Sequence, residues 1–223
     1  MLKSEIIYSI MEKLRQADSD DTNYNAEIIS YHIDNTRALL LKRRAERGKG
    51  FSEIDLQTIT MDVNKYDASM DTSLTVGQNI LRSVNKLPKL LKIADKLSIV
   101  RIGSLNLYDP GFNIVSYAQS IYSGKGRYNK NQVFSYVFNN YVYVKGALGC
   151  KEYRYLDKII VRGLFEDCDT VDAKNKSLDC TDYDYEYPIS ADMIPELESM
   201  IIQQLGQTMQ IPEDKKNDSN DLP

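Results

Sequence analysis

Residues 159–205 constrain this chain more than any other stretch. They read IIVRGLFEDCDTVDAKNKSLDCTDYDYEYPISADMIPELESMIIQQL. A strand of the buried type stops at the acidic pair Glu166 and Asp167, a charged Tyr-rich connector follows, and an amphipathic helix with Pro195 near its start closes the unit. The stretch has the form of a helix hung on a small β-domain and offered to a neighbour, not of a catalytic centre.

The rest of the chain reads as helices first and strands afterwards. Leu2, Ile6, Ile10 and Leu14 share one face of a helix over residues 2–15, with Ile7 beside them. A polar loop over 17–25 leads to a second helix over about 26–47. Its stripe is Ile29, Ile33, Thr36 and Leu40, widened by Ile28 and Leu39. Lys42, Arg43, Arg44 and Arg47 sit in its last turns, where cations suit the helix dipole, and Gly48 and Gly50 end it. Two helices and a short polar loop predict a hairpin.

Beyond Phe51 the period becomes two: Ile59, Met61 and Val63 face one way, Thr58, Thr60 and Asp62 the other. Ile80, Arg82 and Val84 suggest a short strand, and 97–105 another. Residues 113–122 predict a short helix with Ile114, Ala118 and Ile121 on one side. Asn139-Asn140 between 133–138 and 141–145 predicts a tight hairpin, because Asn tolerates positive φ. Residues 158–165 form the last strand. The final helix spans about 190–209, with Ser190 as a cap and the stripe Ile194, Leu197, Ile201 and Leu205. Pro195 sits late for a first helical position, which favours a start nearer Ile194 and a lead-in turn over 190–193.

The expected fold class is therefore α+β: an N-terminal helical hairpin (1–50), then a small antiparallel β-sandwich or barrel with a short inserted helix (51–166). An acidic Tyr-rich connector (167–187), a C-terminal amphipathic helix (188–210) and a disordered tail (211–223) follow.

Charge and cysteine usage exclude several function classes. The formal net charge is -4, but residues 166–186 hold eight acids against Lys174 and Lys176. An uneven distribution of this kind points to surfaces of each sign, not to a polyanion binder. Cys150, Cys168 and Cys180 are odd in number and lack CxxC spacing, which argues for reduced thiols over a disulfide framework or a zinc site. No apolar run approaches a membrane span, and Glu5 and Glu12 interrupt what would be a signal peptide's apolar region. The expected compartment is a reducing interior. Sixteen Tyr without Trp favour contact surface.

Candidate chemistry weighs against catalysis. His32 is the sole histidine, on a helix between stripe residues, and no GxSxG frame accompanies it; a packed histidine is the plainer reading. Gly124-Lys125-Gly126 with Arg127 and Lys130 lacks the GxxxxGK[ST] frame, leaving a DNA-touching basic loop or a solvated turn. Asp182, Asp184 and Glu186 alternate with tyrosines but lack the Gly and Glu of a calcium loop, so a solvated acidic linker is the plainer reading. Lys42, Arg43, Arg44, Arg47 and Lys49 make the strongest local charge feature. It serves as a solvated helix end, or docks on an acidic protein surface or a DNA backbone. No catalytic, cofactor-binding or metal-ligating residues are expected, and no cofactor.

Taken in order, LKSEIIYSIMEKLR, AEIISYHIDNTRALLLKRRAERGKG, RIGSLNLYDPGFNIVSYAQSIYSGKGRYN, YVFNNYVYVKG, IIVRGLFED and YPISADMIPELESMIIQQL resemble the head-to-tail connector (ring or adaptor) proteins of crAss-like phages of Bacteroidetes. The resemblance covers about residues 2–205, and IIVRGLFED and YPISADMIP are its most specific parts. It implies a virion structural protein: a dodecameric ring beneath the portal, at the head-tail interface, assembled in the host cytoplasm. Its implied partners are its own copies, the portal protein, neighbouring tail or connector rings, and DNA in weak transit through the channel during genome ejection; no membrane is among them. On this reading Lys42, Arg43, Arg44, Arg47, Ile194, Leu197, Ile201 and Leu205 bind partners, and Lys125, Arg127 and Lys130 lie near DNA. The alternative is a non-catalytic nucleic-acid-binding accessory protein.

Overall fold

The computed structural model describes residues 1–17, 25–66, 80–94, 96–106, 108–129, 131–146, 155–176 and 183–209. The chain divides into two compact units, Met1–Arg47 with Tyr183–Pro223, and Gly48–Asp182.

The first unit is helical. Helix α1 (Lys3–Ala17) and helix α2 (Ala26–Glu46) pack with the C-terminal helix, α5 (Ile194–Met209), which rests on both. Asn25 caps α2 by accepting from the Glu27 N–H at 3.1 Å. The inward faces are those the 3.6-residue period marks: Ile6, Ile10 and Leu14; Ile29, Ile33 and Leu40; Leu197, Ile201 and Leu205, all buried. Ile28 and Leu39 depart from expectation. They do not widen the buried stripe of α2 but lie exposed. A 3-10 turn, Ala191–Met193, precedes α5, which starts at Ile194 as the position of Pro195 implies; Ser190 begins the turn without a side-chain capping bond.

The second unit is one seven-stranded, nearly closed sheet. Its strands are β1 (Gln57–Tyr66), β2 (Ile80–Ser83), β5 (Ile99–Gly103), β6 (Asn113–Ile114), β7 (Val133–Phe138), β8 (Tyr141–Gly146) and β9 (Lys158–Gly163), ordered β5-β9-β1-β2-β8-β7-β6. The Phe112 N–H donates to the Ile102 carbonyl at 2.7 Å, drawing the two edges together. Strands β3 (Lys92–Ile93) and β4 (Lys96–Leu97) form a separate small hairpin. Alternation works as expected in β1: Ile59, Met61 and Val63 are buried beside Val142, Val144, Ile159, Val161 and Ile102, and each such side chain contributes roughly 1.5–3 kcal/mol on burial. Asn139 and Asn140 turn the β7–β8 hairpin at φ 50° and 63°.

Three expectations need correction. The sheet is not purely antiparallel, because β6 pairs parallel to β7. Residues 113–122 do not form one helix: 113–114 are β6, and the helix is only α3 (Tyr117–Ser120), started by a Ser116–Gln119 capping box, with Ile114 and Ile121 exposed. The connector is not irregular throughout, since Cys168–Lys176 is helix α4, packed on β1. The Asp167 carboxylate accepts from the Thr170 N–H at 2.9 Å at its start, and Phe165, Cys168 and Val171 are buried at helical spacing.

Candidate interaction surfaces

The end of the acidic Tyr-rich stretch has a definite structural role within the helical unit. Residues 183–187 run extended beside the N-terminus: Lys3 and Ser4 N–H donate to the Tyr185 and Tyr183 carbonyls at 3.0 Å, and Tyr187 N–H donates to Met1 O at 3.1 Å. A period of two buries Tyr185 and Tyr187 and leaves Asp184 and Glu186 exposed. The buried side is polar and cationic. Lys3 Nζ lies 3.0 Å from Asp34 Oδ2, and 5.6 and 5.5 Å from the Tyr183 and Tyr187 ring centres. Tyr187 Oη donates to Asp34 Oδ1 at 2.7 Å, and Arg37 Nε donates to the Pro188 carbonyl at 2.7 Å. The tyrosines therefore strap the first residues to α2, with the acids left on the outside. Asp182 lies outside the described residues, as do Cys150 and Cys180.

The two groups of residues expected to bind partners fare differently. Leu197, Ile201 and Leu205 are buried within the chain's own helical unit and Ile194 is half-buried, so α5 spends its apolar stripe internally. Glu198 on α5 accepts from Ser9 Oγ at 2.7 Å and pairs with Lys13 at 2.5 Å. At the end of α2, Arg43, Arg47 and Lys49 are exposed and Lys42 and Arg44 half-buried. Arg44 Nη1 lies 3.8 Å from Asp192 Oδ2, and Arg43 Nη1 lies 3.8 Å from the Met200 sulfur. Arg43, Arg47 and Lys49 are thus the cations of this cluster that reach outward.

In the second unit Lys125 and Arg127 are exposed on the loop after α3, between the exposed rings of Tyr122 and Tyr128. Lys130 lies outside the described residues. The base of the loop is fixed: Lys145, buried on β8, donates to the Ser120 carbonyl at 2.9 Å, and Tyr117 stacks on Phe138 at 4.6 Å. Tyr136 and Tyr143 stack beside them at 5.0 Å, and the Arg82 guanidinium lies 4.1 Å over Tyr66 and 4.7 Å over Tyr141. Sequence reasoning missed this second, aromatic core cluster, although Tyr136, Phe138, Tyr141 and Tyr143 all sit at period two.

Burial, and then the nearby charge of Lys125, hold the Lys145 amine below its ordinary 10.5. The unfolded chain binds this proton more tightly than the folded one between the two pKa values. The Lys145 contribution to stability therefore rises as pH climbs through the lowered folded value toward 10.5, and is lost as pH falls back through it. Urea unfolding at stepped alkaline pH is expected to show this slope, and Lys145→Met to flatten it.

No catalytic constellation assembles among the described residues. His32 is half-buried and meets Tyr31 edge-on at 5.8 Å. A cleft of about 630 Å³ is lined by Ser104, Asp109, Phe112, Asn113, Gln132 and Leu156, among others. Its titratable group among the described residues, Asp109, is engaged in shaping the loop: it accepts from Ser104 Oγ at 2.9 Å and Asn106 Nδ2 at 3.1 Å. No described helix is long and apolar enough to cross a membrane.

The family model described as phage tail ring protein 2 matches residues 5–222. Ring protein 2 of Bacteroides phage crAss001 is 24% identical over 227 residues, covering 99% of this chain and 97% of that protein. The resemblance to ring proteins of crAss-like phages is borne out, and since the match runs through both units the chain belongs to the phage tail ring protein 2 family.

Proposed function

We propose that this chain is a virion structural protein that forms a closed, dodecameric ring at the head-tail interface, docks beneath the portal and lines part of the DNA conduit. It is assembled in the host cytoplasm. Its partners are its own copies, the portal, adjoining tail or connector rings, and DNA in weak transit. The observation that carries this reading is the family match along residues 5–222. The outward cations Arg43 and Arg47 suit an acidic docking face, and a conduit wall is served by few tight phosphate contacts, because each slows transit.

Mass measurement of the purified chain alone and with portal, followed by class averages of the particle, tests the proposal. A closed ring of about twelve copies is the expected result. Reversing Arg43 and Arg47 is expected to abolish portal docking with unchanged circular dichroism. A stable lone protomer in purified virus overturns the reading.

A second reading, a nucleic-acid-binding accessory protein, draws on one observation: Lys125 and Arg127 are exposed between two exposed tyrosines. Titrating DNA binding against salt separates the two. A dedicated binder loses affinity with a slope of about -0.9 per neutralised phosphate, summed over several contacts, whereas a conduit subunit shows weak binding with a slope near that of one or two.

A further inference from the structure

Helix α2 has two apolar faces. One carries Ile29, Ile33, Leu40 and Leu41, all buried. At 3.6 residues per turn, Ile28, Tyr31, His32, Asn35, Leu39 and Lys42 fall together on the opposite side. There Ile28 is 51% exposed, Tyr31 67% and Leu39 37%. A helix packed on one side only presents charged and polar residues outward. Two large aliphatics and a tyrosine at helical spacing over about three turns mark a face made for contact. The element expected to supply such contact, α5, has its own stripe buried within the unit.

The outward face of α1 is different and complementary. Tyr8 is 67% exposed, with Glu5 and Glu12 exposed one turn to either side and Arg15 exposed at the C-terminal end. The exposed Glu27 flanks the N-terminal end of the α2 face, and Lys42, half-buried, lies at its C-terminal end. Laid antiparallel, the two helices place Glu5 toward Lys42 of α2 and Arg15 toward Glu27, with Tyr8 against the apolar stretch between them. A contact between two different faces repeats from copy to copy and closes into a circle, whereas α2 meeting α2 about a two-fold stops at a dimer.

We propose that the Ile28–Tyr31–Leu39 face of α2 is a subunit interface that receives the Tyr8 face of α1 from a second copy, antiparallel and head-to-tail. This rests on the ring reading, and it names the surface by which the ring closes. All the residues belong to the helical unit, and those substituted below, Ile28, Tyr31, Arg15 and Glu27, are exposed, so their substitution leaves the fold intact.

Sedimentation of the full-length chain over a concentration series tests it. Wild type is expected to associate beyond dimer. Ile28→Asp/Tyr31→Asp is expected to weaken association by at least about thirtyfold, with an unchanged thermal melt. Arg15→Glu and Glu27→Arg are each expected to weaken it by about tenfold, and mixing these two variants in equal amounts to restore it, because each reversed face then meets its opposite. Wild-type association that survives Ile28→Asp/Tyr31→Asp overturns this interface and leaves the ring standing. Association that stops at a dimer, or no rescue on mixing, overturns the head-to-tail pairing. A chain that stays monomeric at every concentration overturns the ring reading itself, and the interface with it.

Discussion

Gly163→Ala is expected to destabilise the β-unit severely. Gly163 sits on β9 between two neighbours, paired with Gln57 of β1 on one side and Ile99 of β5 on the other. A Cβ built there would stand 2.5 Å from the Ser98 carbonyl oxygen, 3.3 Å from Ile99 Cα and 3.5 Å from Leu90 Cδ2. The first two are backbone atoms and cannot rotate away. Ser98 is held as well: its carbonyl accepts from the Leu164 N–H at 2.9 Å, and its N–H donates to the Leu91 carbonyl at 3.1 Å. Relief requires β5 to move off β9, at the point where the register already shifts between Ile99 and Arg101. The expected loss is about 3 kcal/mol or more, a large share of the roughly 5–15 kcal/mol that holds a domain together. Gly126→Ala is the control, because a Cβ there meets nothing within 4 Å, and it should unfold in urea like wild type. A Gly163→Ala chain within about 1 kcal/mol of wild type would mean that β5 does not lie against β9 as described.

That glycine stands inside the IIVRGLFED segment, and nothing in the sequence marks it as crowded. The contrast shows which parts of the fold are legible locally. The β1 alternation is legible because one face of the strand is buried and the other wet, and Asn139-Asn140 because positive φ is a property of the residues themselves. Strand β6 is two residues long and exists only because β7 lies beside it, so no local pattern announces it. Helix α4 was hidden by its acids, although Phe165, Cys168 and Val171 carry a faint three-residue spacing. The apolar stripe of α5 was visible, but periodicity identifies a face and not what covers it; the cover turned out to be α1 and α2. The same limit explains Ile28 and Leu39. They were assigned to the inward stripe of α2 because adjacent apolar residues broaden any helical pattern, and only the packing separates them.

Asp34→Ala is expected to destabilise the helical unit by about 3–5 kcal/mol, the cost of removing one member of a buried ion pair. Lys3 is fully buried, and Asp34 Oδ2 lies 3.0 Å from its amine. The same carboxylate accepts from Tyr187 Oη, so its loss removes that bond as well and loosens the strap that holds the N-terminus. Nearby ring faces at about 5.5 Å favour the cation but do not replace a formal negative charge. The converse change separates charge from packing. Lys3→Met/Asp34→Leu removes both charges and keeps apolar bulk, and should recover most of the loss, because a buried ion pair repays its desolvation only narrowly. Tyr187→Phe deletes one hydrogen bond, leaves the pair, and should cost about 1 kcal/mol. Urea denaturation followed by circular dichroism at 222 nm reads all three, since α1, α2 and α5 carry much of that signal. Equal losses for the single and double variants would show that Lys3 and Asp34 act through shape alone, and that the acidic Tyr-rich strap is held by its backbone bonds to residues 1–4 instead of by charge.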